Sequence, residues 1–313
     1  MKNQLVFIGG FPSGGTDLLK NILNAHEEIY INGEMPFLYR LSDYQIPVDF
    51  RIDTREKFDK LKGAVNKYDI WDNLENLSNT NFEDFKSTDK TIKDFFRVSF
   101  SKKGKKVWGN KTPQNTENID ILSKYFPESK FIIITRDIRD IALSWKKKWG
   151  KSILLTSHKW NARMQVNVKG NRILLVKYED LLENIEAETK RICDFLGIPW
   201  DDSMIRFQDK TTSIIDGKIN YGKGLIPENK EKWKKELSKK TLKRIEEIAY
   251  TALEHHDYPI SIAKTSKEIR WHENLYGLLE DVLAMIFVGN RASANNTFIT
   301  RFKMIINQIR IRF

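Results

Sequence analysis

The chain has 313 residues, 40% apolar and 12% aromatic, enough for one large core with an appendage, and a formal net charge of +11 that favours anionic partners. Its single cysteine, Cys193, excludes an intramolecular disulfide. No Cys/His spacing fits a zinc site, so a reducing, cytoplasmic setting without a structural metal is expected. A nucleotide, an acidic glycan or a lipid surface could answer the charge. Nucleic acid is the least expected partner, because no RRM, KH or zinc-finger pattern is present.

In chain order, Leu5-Val6-Phe7-Ile8 is too short an apolar run for a secretory segment and enters a glycine turn directly, so it reads as a first strand. The loop Gly9 to Asp17 follows, then a helical pattern from Leu18 to Leu23. A glycine loop between strand and helix has the context of a phosphate cradle, although a plain structural turn is the alternative. Gly10 and Gly15 have Walker A spacing, but Thr16 stands at the lysine position and Asp17 at the metal-binding Ser/Thr position. A P-loop nucleotide kinase is therefore only the secondary enzyme reading. Asp17 also suits the positive end of its helix, and His26 is expected to cap that helix rather than serve as a base.

Residues 39–106 are polar, charged and rich in aromatics, and read as a mostly helical insertion over the sheet that shapes an acceptor site, with one helix over Arg55 to Trp71. Lys111 lies in Trp108-Gly109-Asn110-Lys111-Thr112-Pro113, expected at a sheet edge. Lys130 to Ile134 and Arg172 to Val176 read as further strands buried on both faces. The helices after them span Ile138 to Trp149 and Leu181 to Leu196, the latter stopped by Gly197 and Pro199. Repeated strand-then-helix units imply a parallel sheet with ligands at the carboxyl ends of its strands. Arg136, at the second of those ends, and Ser144 on the following helix can converge on one phosphate. Glu228 to His256 is expected as one long amphipathic helix ended by Tyr258-Pro259. Beyond Ser261 a helical tail is expected. Within it Ile299, Phe302, Ile305, Ile306, Ile309 and Phe313 form an apolar stripe among Arg301, Lys303, Arg310 and Arg312. Such a helix packs on the body or on a second subunit, which would permit a homodimer. The alternative is peripheral contact with an anionic membrane at its inner face.

Together these segments resemble the PAPS-dependent sulfotransferases, the tyrosylprotein sulfotransferases and related bacterial and Golgi-type members in particular, over roughly residues 3–260. Pro12-Ser13-Gly14-Gly15-Thr16-Asp17 is similar to the family's P-R-S-G-T-T loop for the 5′-phosphosulfate, with Ser13 in place of arginine and Asp17 in place of threonine. Arg136 and Ser144 match its 3′-phosphate motif, Lys148 another basic contact, and Tyr178 in Tyr178-Glu179-Asp180-Leu181 a nucleotide contact that could equally be core. Gly217 to Trp233 matches a flexible cofactor-covering segment, which implies phosphate contacts from Lys223 and Lys232. Glu34 matches the family's catalytic base and Lys111 the lysine that stabilises the leaving phosphate, although each could be an ordinary surface side chain.

The resemblance implies an α/β, P-loop-type three-layer fold with a central parallel sheet flanked by helices. Residues 1–260 would form the 3′-phosphoadenosine 5′-phosphosulfate (PAPS) domain and 261–313 a helical extension. The implied reaction moves a sulfuryl group to an acceptor hydroxyl on a glycan, peptide tyrosine, lipid or small alcohol, leaving 3′-phosphoadenosine 5′-phosphate and needing no metal. The Ser13 and Asp17 departures keep open a non-catalytic binder of anionic glycans or membranes on the same fold.

Overall fold

The structure is a computed structural model that describes residues 4–68, 80–85, 88–165, 170–207, 212–215, 218–221, 226, 228–262 and 265–287. In chain order the elements are β1 (Gln4–Gly10), α1 (Thr16–Ala25), β2 (Ile29–Asn32), α2 (Arg55–Tyr68), α3 (Ile92–Phe100), β3 (Val107–Lys111), α4 (Ile119–Tyr125), β4 (Lys130–Thr135), α5 (Ile138–Trp149) and α6 (Ile153–Met164). There follow β5 (Ile173–Lys177), α7 (Tyr178–Glu183), α8 (Ile185–Leu196), β6 (Thr212–Ile215), β7 (Lys218–Tyr221), α9 (Trp233–Glu236), α10 (Lys239–His255) and α11 (Trp271–Phe287). They fall into two compact units, residues 1–135 with 166–207 and residues 136–165 with 208–313.

The first unit is built on a five-stranded parallel sheet flanked by helices, in the order β2-β3-β1-β4-β5. The apolar runs of β1 and β4 occupy its middle, where Val6, Phe7, Ile8 and Ile132 to Ile134 are fully buried, as expected of strands covered on both faces. β5 departs from that expectation. It is an edge strand, and Ile173, Leu174 and Leu175 are only half-buried because a neighbour lies on one side alone. β2 and β3 are too short and too polar at their ends to announce themselves, yet they are two of the five strands. Gly109 explains their fit: a Cβ there would stand 1.8 Å from the Val6 carbonyl oxygen, so only glycine lets β3 lie against β1. Lys111 is thus not at a sheet edge as expected, since β3 is enclosed between β2 and β1.

The insertion is helical as read, with short 3-10 segments at Pro36–Tyr44 and Phe82–Phe85; Phe58 of α2 packs tilted on Phe95 of α3, and Phe85 and Phe37 stack on Phe95 and Phe96. α2 ends by Tyr68, and the expected Trp71 lies outside the described residues. The helix expected over Leu181 to Leu196 is two helices. Asn184 leaves the helical region (φ −148°) and turns its side chain to accept from the Ala187 amide, starting α8 afresh. Gly197, left-handed at φ 73°, ends it as expected.

In the second unit α5, α10 and α11 all pack on α6, whose Trp160 is fully buried beside His256 and Tyr258. The single helix expected from Glu228 to His256 is broken. Leu237 is extended, and Ser238 caps α10 by accepting from the Thr241 amide, so the long helix begins only at Lys239. β6 and β7 pair antiparallel, and β7 falls within the expected covering segment, Gly217 to Trp233, while β6 lies before it. α11 opens the tail as a helix, while Ile299 to Phe313 lie outside the described residues. Among the described residues no helix is long and apolar enough to cross a membrane.

Candidate functional site

Two charged arrays, one in each unit, hold residues singled out by sequence, Asp17, Glu34 and Lys111 in the first and Arg136 and Lys232 in the second. In the first unit, the Gly14 amide closes a turn on the Phe11 carbonyl at 2.8 Å, Ser13 is left-handed at φ 65°, and Gly15 (φ 102°) delivers the chain into α1 without a side-chain cap. The first amides of a ten-residue helix therefore point out of the loop with no intrahelical acceptor, at the positive end of its dipole. Tyr178 is buried under this loop: a Cβ on Gly15 would approach its ring to 2.5 Å. Pro12 and Ser13 are half-buried at the loop tip, and Thr16 is buried behind it. The cradle has the shape and polarity for a terminal phosphate or sulfate group.

Beside it, the Lys111 ammonium donates to Glu34 at 2.8 Å and pairs with Asp17 at 2.9 Å. Burial, the largest single influence, pushes Lys111 down, but the attraction of Asp17 and Glu34 outweighs it and its pKa ends above the ordinary lysine value. An asparagine and threonine lattice fixes the two chain segments that meet here. Thr112 Oγ1 accepts from the Met35 amide and from Asn110, Asn115 donates to Asn110 and to the Ile8 carbonyl, and Asn32 donates to the Phe100 and Gly109 carbonyls. Asp17 therefore does more than complement its helix dipole.

Lys20, one turn beyond Thr16, was not singled out by sequence. Burial depresses its ammonium, with Asp17 opposing, Lys111 adding and Glu34 opposing, so it sits within electrostatic reach of all three. Its spacing from Asp17 was the available signal. His26 is buried, accepts from the Glu28 amide at Nδ1 (3.0 Å) and so donates through Nε2 to the Pro199 carbonyl (2.8 Å). It fastens the end of α1, as expected, and has no ring nitrogen left for catalysis.

In the second unit, buried Arg136 donates to the Asn229 carbonyl at 2.7 Å, and Lys232 donates to the Asn229 side chain at 2.7 Å, which brings these two cations to one residue. Burial lowers the Lys232 ammonium and the Arg136 charge lowers it further. Asp140 holds the same segment, accepting from the Glu231 and Trp233 amides at 2.6 and 3.1 Å, and burial raises its pKa. Trp233 lies over the Arg139 guanidinium at 4.0 Å. Arg139, which the motif reading passed over, is fully buried and bonded to Asp137, Glu246 and the Pro259 carbonyl. Further along α5, Ser144 is half-buried and Lys148, one turn on, is exposed with its ammonium over the Trp149 ring. Lys223 lies outside the described residues.

Comparison with known proteins gives these arrays a context. The sulfotransferase family matches over residues 5–202 and the sulfotransferase domain over residues 159–256. The chain is 25% identical over 224 residues to protein-tyrosine sulfotransferase A of Caenorhabditis elegans, covering 66% of this chain and 53% of that one. It is 26% identical over 220 residues to protein-tyrosine sulfotransferase 2 of Gallus gallus, covering 66% and 54%. The match spans only a little more than half the length of those two relatives. Among solved structures, the sulfotransferase domain of the Synechococcus PCC 7002 olefin synthase shares the fold, with a TM-score of 0.55, 18% identity, and coverage of 83% of this chain and 97% of that one. A match over residues 5–202 takes in the sheet, the glycine loop and Arg136 together, and on it this chain belongs to the sulfotransferase family.

Proposed function

We propose that the chain transfers a sulfuryl group from PAPS to an acceptor hydroxyl. Among glycan, lipid, small-alcohol and peptide acceptors, the relatives named as protein-tyrosine sulfotransferases favour a peptide tyrosine. The observation that carries the reading is the Lys111 ammonium held at 2.8 Å from Glu34, beside the capless N-terminus of α1. Sulfuryl transfer is an in-line displacement: a bond forms from the acceptor oxygen to sulfur as the bond from sulfur to the 5′-phosphate oxygen breaks. By analogy with phosphoryl transfer the protein supplies position and charge.

Glu34 takes the proton of the acceptor hydroxyl, which its half-exposed carboxylate can meet. Lys111 neutralises the oxygen that leaves with the phosphate. Ser13 leaves the loop one cation short of the family pattern, and Lys20, already among these charges, makes up the deficit. Arg136, Ser144, Lys148 and Lys232 would hold the 3′-phosphate, with Arg136 exchanging the Asn229 carbonyl for it, a neutral acceptor for a charged one. Nothing in these roles calls on a metal.

The test is thermal stabilisation by 3′-phosphoadenosine 5′-phosphate against ADP, with and without magnesium, followed by transfer of labelled sulfate from PAPS to a tyrosine peptide and to sugar, lipid and alcohol acceptors. A magnesium-independent rise with the 3′-phosphorylated nucleotide and label on an acceptor are expected. Stabilisation without transfer to any acceptor class would leave a binder, and preference for ADP with magnesium would favour a kinase.

A further inference from the structure

Asp17 stands second in α1, and its carboxylate reaches the Lys111 ammonium at 2.9 Å while itself 72% exposed. An acid at the start of a helix answers the dipole whichever way it points, so its choice of Lys111 has another cause. An ammonium has three N–H donors. In Lys111, whose side chain is 5% exposed on a strand enclosed between β2 and β1, one meets Glu34 at 2.8 Å and a second meets Asp17. Two anchors on a tetrahedral group fix the direction of the third donor. Among the described residues, the charged groups that face Lys111 are Asp17 and Lys20 of α1 and Glu34 of the segment after β2. Burial works against the Lys111 charge, and the attraction of Asp17 is the strongest influence that opposes burial.

We infer that Asp17 is a positioning residue for the leaving-group cation: with Glu34 it aims the third donor of Lys111 at the departing 5′-phosphate oxygen, and it holds the ammonium once Glu34 has become neutral. On the sulfuryl-transfer reading above, on which this rests, the acceptor oxygen bonds to sulfur as its proton passes to Glu34. The 5′-phosphate oxygen leaves with the bonding pair, and Lys111 keeps its proton throughout. Glu34 thus gives up its negative charge in the step for which Lys111 is needed, and the neighbouring Lys20 only repels the ammonium. Asp17 takes no part in the proton transfer, so its charge persists through that step. The uncharged threonine of the family pattern could not do this, which gives the departure at position 17 a use. The cost falls on binding, because an exposed acid beside the phosphate cradle repels the donor nucleotide while the pair it makes speeds the transfer.

Asp17→Asn keeps the shape of the side chain and removes its charge. In the full-length chain, single-turnover transfer of labelled sulfate at saturating PAPS is expected to slow about tenfold, with 3′-phosphoadenosine 5′-phosphate bound equally or up to about threefold more tightly. The alkaline limb of the rate is expected to move to lower pH, since Lys111 loses the charge that opposes its burial. An unchanged rate would overturn the inference. So would a slower rate with nucleotide binding weakened in proportion, which would make Asp17 a residue that only orders the loop. A second measurement needs no turnover: the carbon NMR titration of Lys111 Cε, assigned by its loss in Lys111→Arg, is expected to move to lower pH in Asp17→Asn. A titration that stays in place would overturn the inference whatever the activity. A wild-type chain that transfers sulfate to no acceptor, while the titration moves as expected, would count against the sulfuryl-transfer reading and not against the hold of Asp17 on Lys111.

Discussion

Lys111 in the first unit and Arg139 in the second are both buried cations, each held by two carboxylates. Lys111 meets Glu34 at 2.8 Å and Asp17 at 2.9 Å, while Arg139 meets Asp137 and Glu246 at 2.7 Å each. The difference lies on the far side of the acids. Asp17 is 72% exposed and Glu34 36%, whereas Glu246 is fully buried and spends its second oxygen on the amide and hydroxyl of Ser261. A carboxylate with a wet side can change partners at small cost, and one without it cannot. The same ingredients thus make an exchangeable ion-pair cluster in one place and a rivet in the other.

The largest loss of stability is expected at the rivet. Arg139→Ala leaves Glu246 and Asp137 without their cation and is expected to cost about 3–5 kcal/mol in denaturant unfolding. Lys111→Ala releases two acids that water can reach and is expected to cost about 1 kcal/mol or less. Equal losses would show that Lys111 is structural as well.

Arg136 tests whether its contact with Asn229 is exchangeable. Arg136→Ala is expected to weaken binding of the 3′-phosphorylated nucleotide by about 1.5–3 kcal/mol and Ser144→Ala by about 1 kcal/mol, with little effect on the 3′-dephosphorylated analogue. Equal losses for both nucleotides, read by titration calorimetry, would remove the assigned role.

A third ion pair, Arg244 with Glu273, sharpens the rivet end of the scale through pH. Its hydrogen bond with Arg244 lowers the Glu273 carboxyl to about 2, below its unfolded value, so the stabilisation is full above the ordinary carboxylate range and fades as pH falls toward 2. Glu273→Gln is expected to cost about 1 kcal/mol at neutral pH, allowing for solvent screening, and progressively less below pH ~4. A constant penalty across that range would rule out the ion pair as its cause.

The smallest effect concerns the exchangeable end itself. Asp17→Thr, which restores the residue the family pattern has, frees one side of Lys111 and is expected to tighten nucleotide binding only about threefold, since an exposed ion pair is weak. Weaker binding would show that Asp17 orders the loop.

Sequence revealed what local chemistry determines and missed what distant partners determine. β1 and β4 were legible because their apolar runs are buried on both faces. β2 and β3 were not, because Asn32 and Gly109 are acceptable in strands only once their hydrogen bonds and close packing are supplied from residues far along the chain. In the candidate site, Glu34, Lys111 and Arg136 stand in recognisable motifs. Asn229, 93 positions from Arg136, carries no such mark, and Lys20 reads as one more lysine on a helix. Asp17 looked like a helix-dipole carboxylate because nothing local tells of Lys111.

The proposed role of Glu34 as the base of a sulfuryl transfer is tested by single-turnover transfer of labelled sulfate from PAPS by the wild-type chain and by Glu34→Gln at matched nucleotide occupancy. A rate lower by about 10²–10⁴ is expected in the variant, with nucleotide affinity within a few-fold of wild type. A variant that transfers sulfate at the wild-type rate while chemistry is rate-limiting would contradict it.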